Sequence, residues 1–355
     1  MRRRGYLSEP PERVRVPDVA RARLIYTREE TMMNTVSKFL CAGLLLAAAA
    51  PPAVSADADY PRRPIRVVVA FPAGGSADIV GRLVTQKVSE MSGYNFVVEN
   101  RPGAGGNLAF DAVASAAPDG YTVLFSTPGI AINPSLYSKV SYKIGDFKAI
   151  SLVGEAPLVL LARPSLGVTS VDELVKSSQA SPDAIRFASS GNGSSSHLAA
   201  EVLRTMTGLQ YLHVPYRGGG AAMTDVVGQQ LDITVQPISE SLPFIRNGSL
   251  VALGQTGRER SSIAPDIPTI EETGVQGYAS TTWYMLLGPA GLSQDVMATL
   301  AEKFDQALRQ PDLRDRLQGI GVNLINGGPD QAQAFLDSET VRWEKLVQAA
   351  RIQID

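Results

Sequence analysis

The run from Ile65 to Ile79, Ile-Arg-Val-Val-Val-Ala-Phe-Pro-Ala-Gly-Gly-Ser-Ala-Asp-Ile, constrains the fold more than any other part of the chain. A β-branched apolar stretch meets a Pro/Gly loop, and Ser76 then offers an N-cap to a helical pattern. Strand, loop and helix in that order are the unit of an α/β sheet. The junction aims backbone N-H groups and the positive end of a helix dipole at one spot, which suits an anion. The same turn also occurs in α/β proteins that bind nothing there. A second junction of the same kind favours the ligand reading. Arg186 to Ser190 reads as a short strand, Gly191-Asn-Gly-Ser-Ser-Ser196 as a loop crowded with donors, and His197 to Arg204 as the helix that follows. Two donor loops far apart in sequence imply one ligand held between two lobes.

The alternation continues along the chain. Phe96 to Glu99 and Tyr121 to Phe125 read as strands, with helices from Ala77 to about Met91 and from Leu108 to Ala117. Extended runs separated by Pro157 fill Ala149 to Arg163, and Ser170-Val-Asp-Glu173 is a capping box. Strand and helix then alternate again from Ile185 to Gln236, Trp283 to Leu287 is another apolar run, and long helical patterns cover Gln294 to Arg309 and Gln331 to Ala350. The expectation is two α/β lobes, each a mainly parallel sheet flanked by helices: lobe I over 57–160 and 285–355, lobe II over 161–284. Ligands on such sheets sit at the carboxyl ends of the strands, where these loops lie.

The first 56 residues read as processing signals. Met32 to Lys38 is weakly basic, Phe39 to Ala50 is apolar at signal-peptide length, and Val54-Ser-Ala56 is a small-residue cleavage site. Residues 1–31 lie upstream of that signal and are expected to reflect a start codon assigned too early. The mature chain is then expected to begin at Asp57 and to work in the periplasm. Cys41, the only cysteine, falls inside the signal, so neither thiol chemistry nor a disulfide is expected. Beyond residue 56 the chain carries 24 basic and 30 acidic residues, a balance that argues against nucleic acid as partner.

An enzyme would need machinery the sequence does not offer. There is no G-x-S-x-G elbow, no HExxH, no Walker lysine, and only two histidines, His197 and His213. Gly103-Ala-Gly-Gly-Asn-Leu108 imitates a dinucleotide fingerprint, but Leu108 stands where the third glycine belongs. No carboxylate or histidine cluster has metal-ligand spacing. The reading is a binder without cofactor or metal.

Several motifs in order resemble those of the solute-binding proteins of tripartite tricarboxylate transporters, the Bug (Bordetella uptake gene) receptors. They are Tyr60-Pro-x-x-Pro64, Phe71-Pro-Ala-Gly-Gly75 with Asp78, Glu99-Asn-Arg-Pro-Gly-Ala-Gly-Gly-Asn107, Pro118-Asp-Gly-Tyr121, Ile132-Asn-Pro-Ser-Leu-Tyr137, Gly191-x-Gly-Ser-x-x-His-Leu198, His213-Val-Pro-Tyr-x-Gly-Gly-Gly220 and Pro265-Asp-Ile-Pro-Thr269. The resemblance covers essentially all of Tyr60 to the C-terminus. It implies a two-lobed periplasmic binding protein fold of type II, a Venus flytrap that closes on a small carboxylate and delivers it to membrane permease subunits. A periplasmic sensor or adaptor presenting the liganded form to a signalling receptor would need the same pocket.

The resemblance places the carboxylate between the loop from Phe71 to Asp78 and the loop before His197. The candidate ligand-binding residues are therefore Phe71, Ala73, Gly74, Gly75, Ser76 and Asp78 on the first loop, Ser126 and Thr127 after the third strand, and Ser190, Gly191, Ser194, Ser195 and His197 on the second. The amides of residues 74–76 and the hydroxyls near Ser194 and Ser195 are the expected donors. No guanidinium clamp is expected, Arg101 and Arg217 being read as surface residues. Asp78 has two readings: a first-turn acid stabilising its helix by about 0.3 to 1 kcal/mol, or a cleft residue meeting an ammonium or hydroxyl. Ile130 and Met285 depart from the usual family pattern and are read as cleft-facing positions. The receptor is expected to be a monomer that binds a mono-, di- or tricarboxylate or an aromatic carboxylate.

Overall fold

The computed structural model describes residues 60–181, 184–350, 352 and 354; the segment read as a signal peptide and the residues upstream of it lie outside these described residues. In chain order the elements begin with β1 (Ile65–Val69), α1 (Ser76–Ser92), β2 (Phe96–Asn100), α2 (Asn107–Ala114), β3 (Thr122–Ser126), α3 (Gly129–Leu136), β4 (Phe147–Ala162) and α4 (Val171–Ala180). Next come β5 (Arg186–Ser189), α5 (Ser195–Thr207), β6 (Leu212–Pro215), α6 (Gly219–Val227), β7 (Ile233–Pro237), α7 (Ile238–Arg246) and β8 (Val251–Gln255). The chain closes with β9 (Thr281–Pro289), α8 (Gln294–Leu308), α9 (Pro311–Gly319), β10 (Asn323–Gly327) and α10 (Pro329–Ala350).

The strands run in the order β2-β1-β3-β9-β4-β7-β5-β6, with β8 and β10 joining on β4. The pairs β1·β2, β1·β3, β5·β6 and β5·β7 are parallel, as β-loop-α alternation requires, because a parallel return needs a crossover. The antiparallel pairs all involve β4 or β9. Residues 147–157 of β4 pair with β9, while residues 158–162 pair with β7 and β8. One 16-residue strand therefore serves both sheets. Pro157 does not break it into two runs as expected, because its missing donor falls where the strand changes partners. Just beyond, Leu158 takes over with its N-H on the Thr256 hydroxyl at 2.8 Å.

The helices cover these sheets through apolar faces. On α1, Val80, Val84 and Val88 are fully buried, and Gly81 lets the Phe125 ring approach: a Cβ there would lie 3.2 Å from it. Gly93 ends this helix in the left-handed conformation (φ 74°), at no steric cost to glycine. The β9 strand crosses the core, and α10 packs over it. Both tryptophan indoles, Trp283 on β9 and Trp343 on α10, donate to Glu339 Oε2, at 3.0 and 2.9 Å. Ile130 and Met285 are both fully buried in this core, so neither faces the cleft: Met285 is held in register with Ser126, and Ile130 packs inward from α3.

Candidate functional site: a cavity at three helix N-termini

A cavity of about 610 Å³ is walled from one side by residues 71–77 and from the other by residues 194–196, 217–221 and the α7 residues Glu240 and Phe244. Its size is that of a small-molecule site. The N-terminal turns of α1, α5 and α6 all line it. The first amides of a helix have no intrahelical acceptor. Here those of Ser195, Ser196, Gly219, Gly220 and Ala221 have none among the described residues. Their dipoles make the cavity favourable to an anion without requiring a charged side chain. The Thr127 hydroxyl lines the same space and is unbonded among the described residues.

Of the residues nominated by sequence, Phe71, Ala73, Gly74, Gly75, Ser76, Thr127, Ser190, Ser194 and Ser195 line the cavity. Asp78, Ser126, Gly191 and His197 do not. Asp78 is 4% exposed, and its carboxylate accepts from Gly74 N-H (2.9 Å), Arg82 Nε (2.8 Å) and Asn100 Nδ2 (2.9 Å). It shapes the loop from beneath. Ser126 is wholly buried, its hydroxyl turned to the Thr127 carbonyl. Gly191 lines a smaller neighbouring cavity of about 180 Å³ and donates to Ser189 Oγ at 3.1 Å.

His197 is buried below the cavity floor. Its Nδ1 accepts from Gly193 N-H at 3.3 Å, so the ring is an acceptor that fixes the second loop. Burial, reinforced by His213 and Arg204, holds its pKa well below the usual imidazole range. A neutral ring is what an acceptor at Nδ1 needs.

Several expected donors are already committed. Gly74 N-H goes to Asp78, Gly75 N-H to the Pro72 carbonyl at 3.4 Å, and Ser76 N-H to Glu240 Oε1 at 2.7 Å. The Ser194 hydroxyl donates to the Gly191 carbonyl at 2.6 Å while accepting from His197 N-H, so it is the N-cap of α5, which begins at Ser195 rather than His197. Ser190 Oγ donates to Gln236 Oε1 at 2.7 Å. Ser195 Oγ meets Thr282 Oγ1 at 3.1 Å.

The wall also contains residues the sequence reading passed over. Arg217 is exposed, as expected of a surface residue, but it also lines the cavity, and among the described residues its guanidinium makes no hydrogen bond or ion pair. Gly218 (φ 137°) faces Pro72 so closely that a Cβ would lie 2.9 Å from Pro72 Cγ. The glycine run after Tyr216 is the signal that could have found this wall. Glu240 is half-buried with its head at the cavity, and the protein around it raises its pKa by desolvation, only partly opposed by its bonds from Ser76.

Two α/β sheets sharing one long strand, with loops and helix N-termini meeting over an anion-favouring cavity, define a two-lobed periplasmic binding protein. The profile of the tripartite tricarboxylate transporter family receptor matches residues 80–352. The chain belongs to this family. It is 34% identical over 319 residues to the protein BugT of Bordetella pertussis, covering 89% of this chain and 98% of that one. Among solved structures it is similar to R. palustris Rpa4515 with adipate (TM-score 0.80, 32% identity, 83% of this chain and all of that one). It is also similar to the periplasmic binding protein BugD (TM-score 0.79, 31% identity, 83% of this chain and all of that one).

Proposed function

We propose that this protein captures a small organic carboxylate in the 610 Å³ cavity and delivers it to the membrane subunits of a tripartite tricarboxylate transporter. The observation that carries the reading is the convergence of three helix N-termini on one cavity, two of them, α5 and α6, with unpaired amides, beside an uncommitted arginine. A carboxylate matches both donor kinds: amides at a helix end and a guanidinium fork. The adipate held by the related Rpa4515 supports the ligand class, and no helix of the described residues is long and apolar enough to cross a membrane. Export through the segment 32–56 to the periplasm is part of the same proposal. So is closure of the two lobes about the β4 crossing between Pro157 and Leu158.

A thermal-shift screen tests it. Mono-, di-, amino and aromatic carboxylates are compared with neutral sugars and divalent cations. A carboxylate at a hundred times its Kd should stabilise the fold by about 2.7 kcal/mol. Stabilisation by sugars or metals alone would sink the proposal.

A further inference from the structure

Glu240 is the one acidic side chain on the cavity wall. It reaches from α7 in one lobe to the α1 N-terminus in the other, where Oε1 accepts Ser76 N-H at 2.7 Å. Its second oxygen sits against α6: a Cβ on Gly219 would lie 2.5 Å from Oε2. The protein's own carboxylate thus occupies one of the three anion-favouring helix ends. Among the described residues no Lys, Arg or His lies within ion-pair distance of it. The other two helix ends, α5 and α6, and Arg217 are left for a carboxylate from outside.

Two carboxylates cannot share the Ser76 amide, and like charges brought together at a desolvated site repel strongly. A desolvated carboxylate without a cation is, conversely, a ready partner for one. We propose that Glu240 determines ligand specificity by standing in for a second ligand carboxylate. The cavity then takes a compound with one carboxylate, whose far end carries a cationic ammonium that pairs with Glu240, and it disfavours the corresponding dicarboxylate. This rests on the carboxylate-receptor reading above and names the ligand class within it. It also distinguishes this chain from a receptor that accepts adipate, with a carboxylate at each end. The raised pKa of Glu240 agrees with a charge left without its partner.

The test compares wild type with Glu240→Gln by isothermal titration against six probes: hexanoate, 6-aminohexanoate and adipate, with butanoate, 4-aminobutanoate and succinate as the shorter set. In at least one set the wild type should bind the amino carboxylate at least tenfold more tightly than the dicarboxylate. E240Q should lose that preference, gaining at least tenfold for the dicarboxylate. Glu240→Met serves as the second neutral variant should E240Q fold poorly, with circular dichroism as the check. A wild-type preference for the dicarboxylates, an E240Q ranking unchanged from wild type, or no binding of any of the six would each overturn the inference. In the last two cases a thermal shift with any other carboxylate would still leave the receptor reading standing.

Discussion

The imidazoles of His197 and His213 lie face to face, centroids 4.2 Å apart and planes within 7°. They are the chain's only two histidines; His197 is buried and His213 partly buried. Burial lowers the pKa of each, that of His213 from 6.5 to about 4. For His213 this means that the unfolded chain binds more protons than the folded one between about pH 6.5 and 4, and His197 acts in the same direction. Stability is therefore full above pH 6.5 and is lost as pH falls through that window, by about 1.4 kcal/mol per pH unit for each histidine at full slope. Glu201, whose pKa burial raises, works in the opposite sense, so the comparison must be with a variant. Denaturation at pH 7 and pH 5 should show a shallower loss in His213→Asn than in wild type. Equal losses would remove the histidine pair as the cause.

Arg217→Gln should weaken binding of the carboxylate found in the screen by about 1.5 to 3 kcal/mol, the range for a hydrogen bond to a charged group. The variant should also show less dependence of Kd on salt, since a partly exposed guanidinium is screened. Titration at two ionic strengths measures both. A loss smaller than that caused by Ser195→Ala would mean that the carboxylate is held by the α5 end without the arginine.

Gly105 touches the other lobe. A Cβ there would lie 2.2 Å from the Asn192 carbonyl oxygen, and the backbone is left-handed (φ 64°). Beside it the Tyr137 hydroxyl donates to that same carbonyl at 3.2 Å. Gly105→Ala should prop the lobes apart, lowering ligand affinity at least tenfold and raising the radius of gyration seen by small-angle scattering with ligand. Gly145→Ala, with nothing within 4 Å of its added Cβ, is the control that should change neither. An unaltered affinity in G105A would show that this contact does not control closure.

Glu339 joins two buried indoles and an arginine, with Arg342 Nη1 at 2.9 Å from Oε1. Glu339→Ala should cost about 2 to 4 kcal/mol in chemical denaturation, because it strands two buried N-H donors. A change below about 0.5 kcal/mol would show that water replaces the carboxylate. Ligand affinity should be preserved, since Glu339 is not on the wall of the larger cavity.

Much of the fold was legible from local pattern. The strands β1, β2, β3, β5 and β7 and the helices α1, α5, α8 and α10 all announce themselves by apolar periodicity and by caps or glycines at their ends. Among the elements the local pattern did not give, two have weak local signals. The helix α7 contains Pro243, which reads as a breaker, and β10 carries Asn323, Asn326 and Gly327, residues of turns rather than strands. Missing α7 meant missing Glu240.

Of the site, the sequence by itself determined the donor loops, since glycine and serine at a strand-to-helix junction fix which backbone can present amides to an anion. It also placed Asp78 and His197 at the helix starts that follow those loops. Only the tertiary structure decided which donors stay unused. Asp78 turns inward to Gly74, His197 takes Gly193, and Glu240, 164 residues from Ser76 in sequence, caps α1 from the far side of the cavity. Hydrogen bonds are spent on whatever acceptor the fold brings within about 3 Å, and that acceptor is set by packing between distant segments rather than by neighbours in the chain.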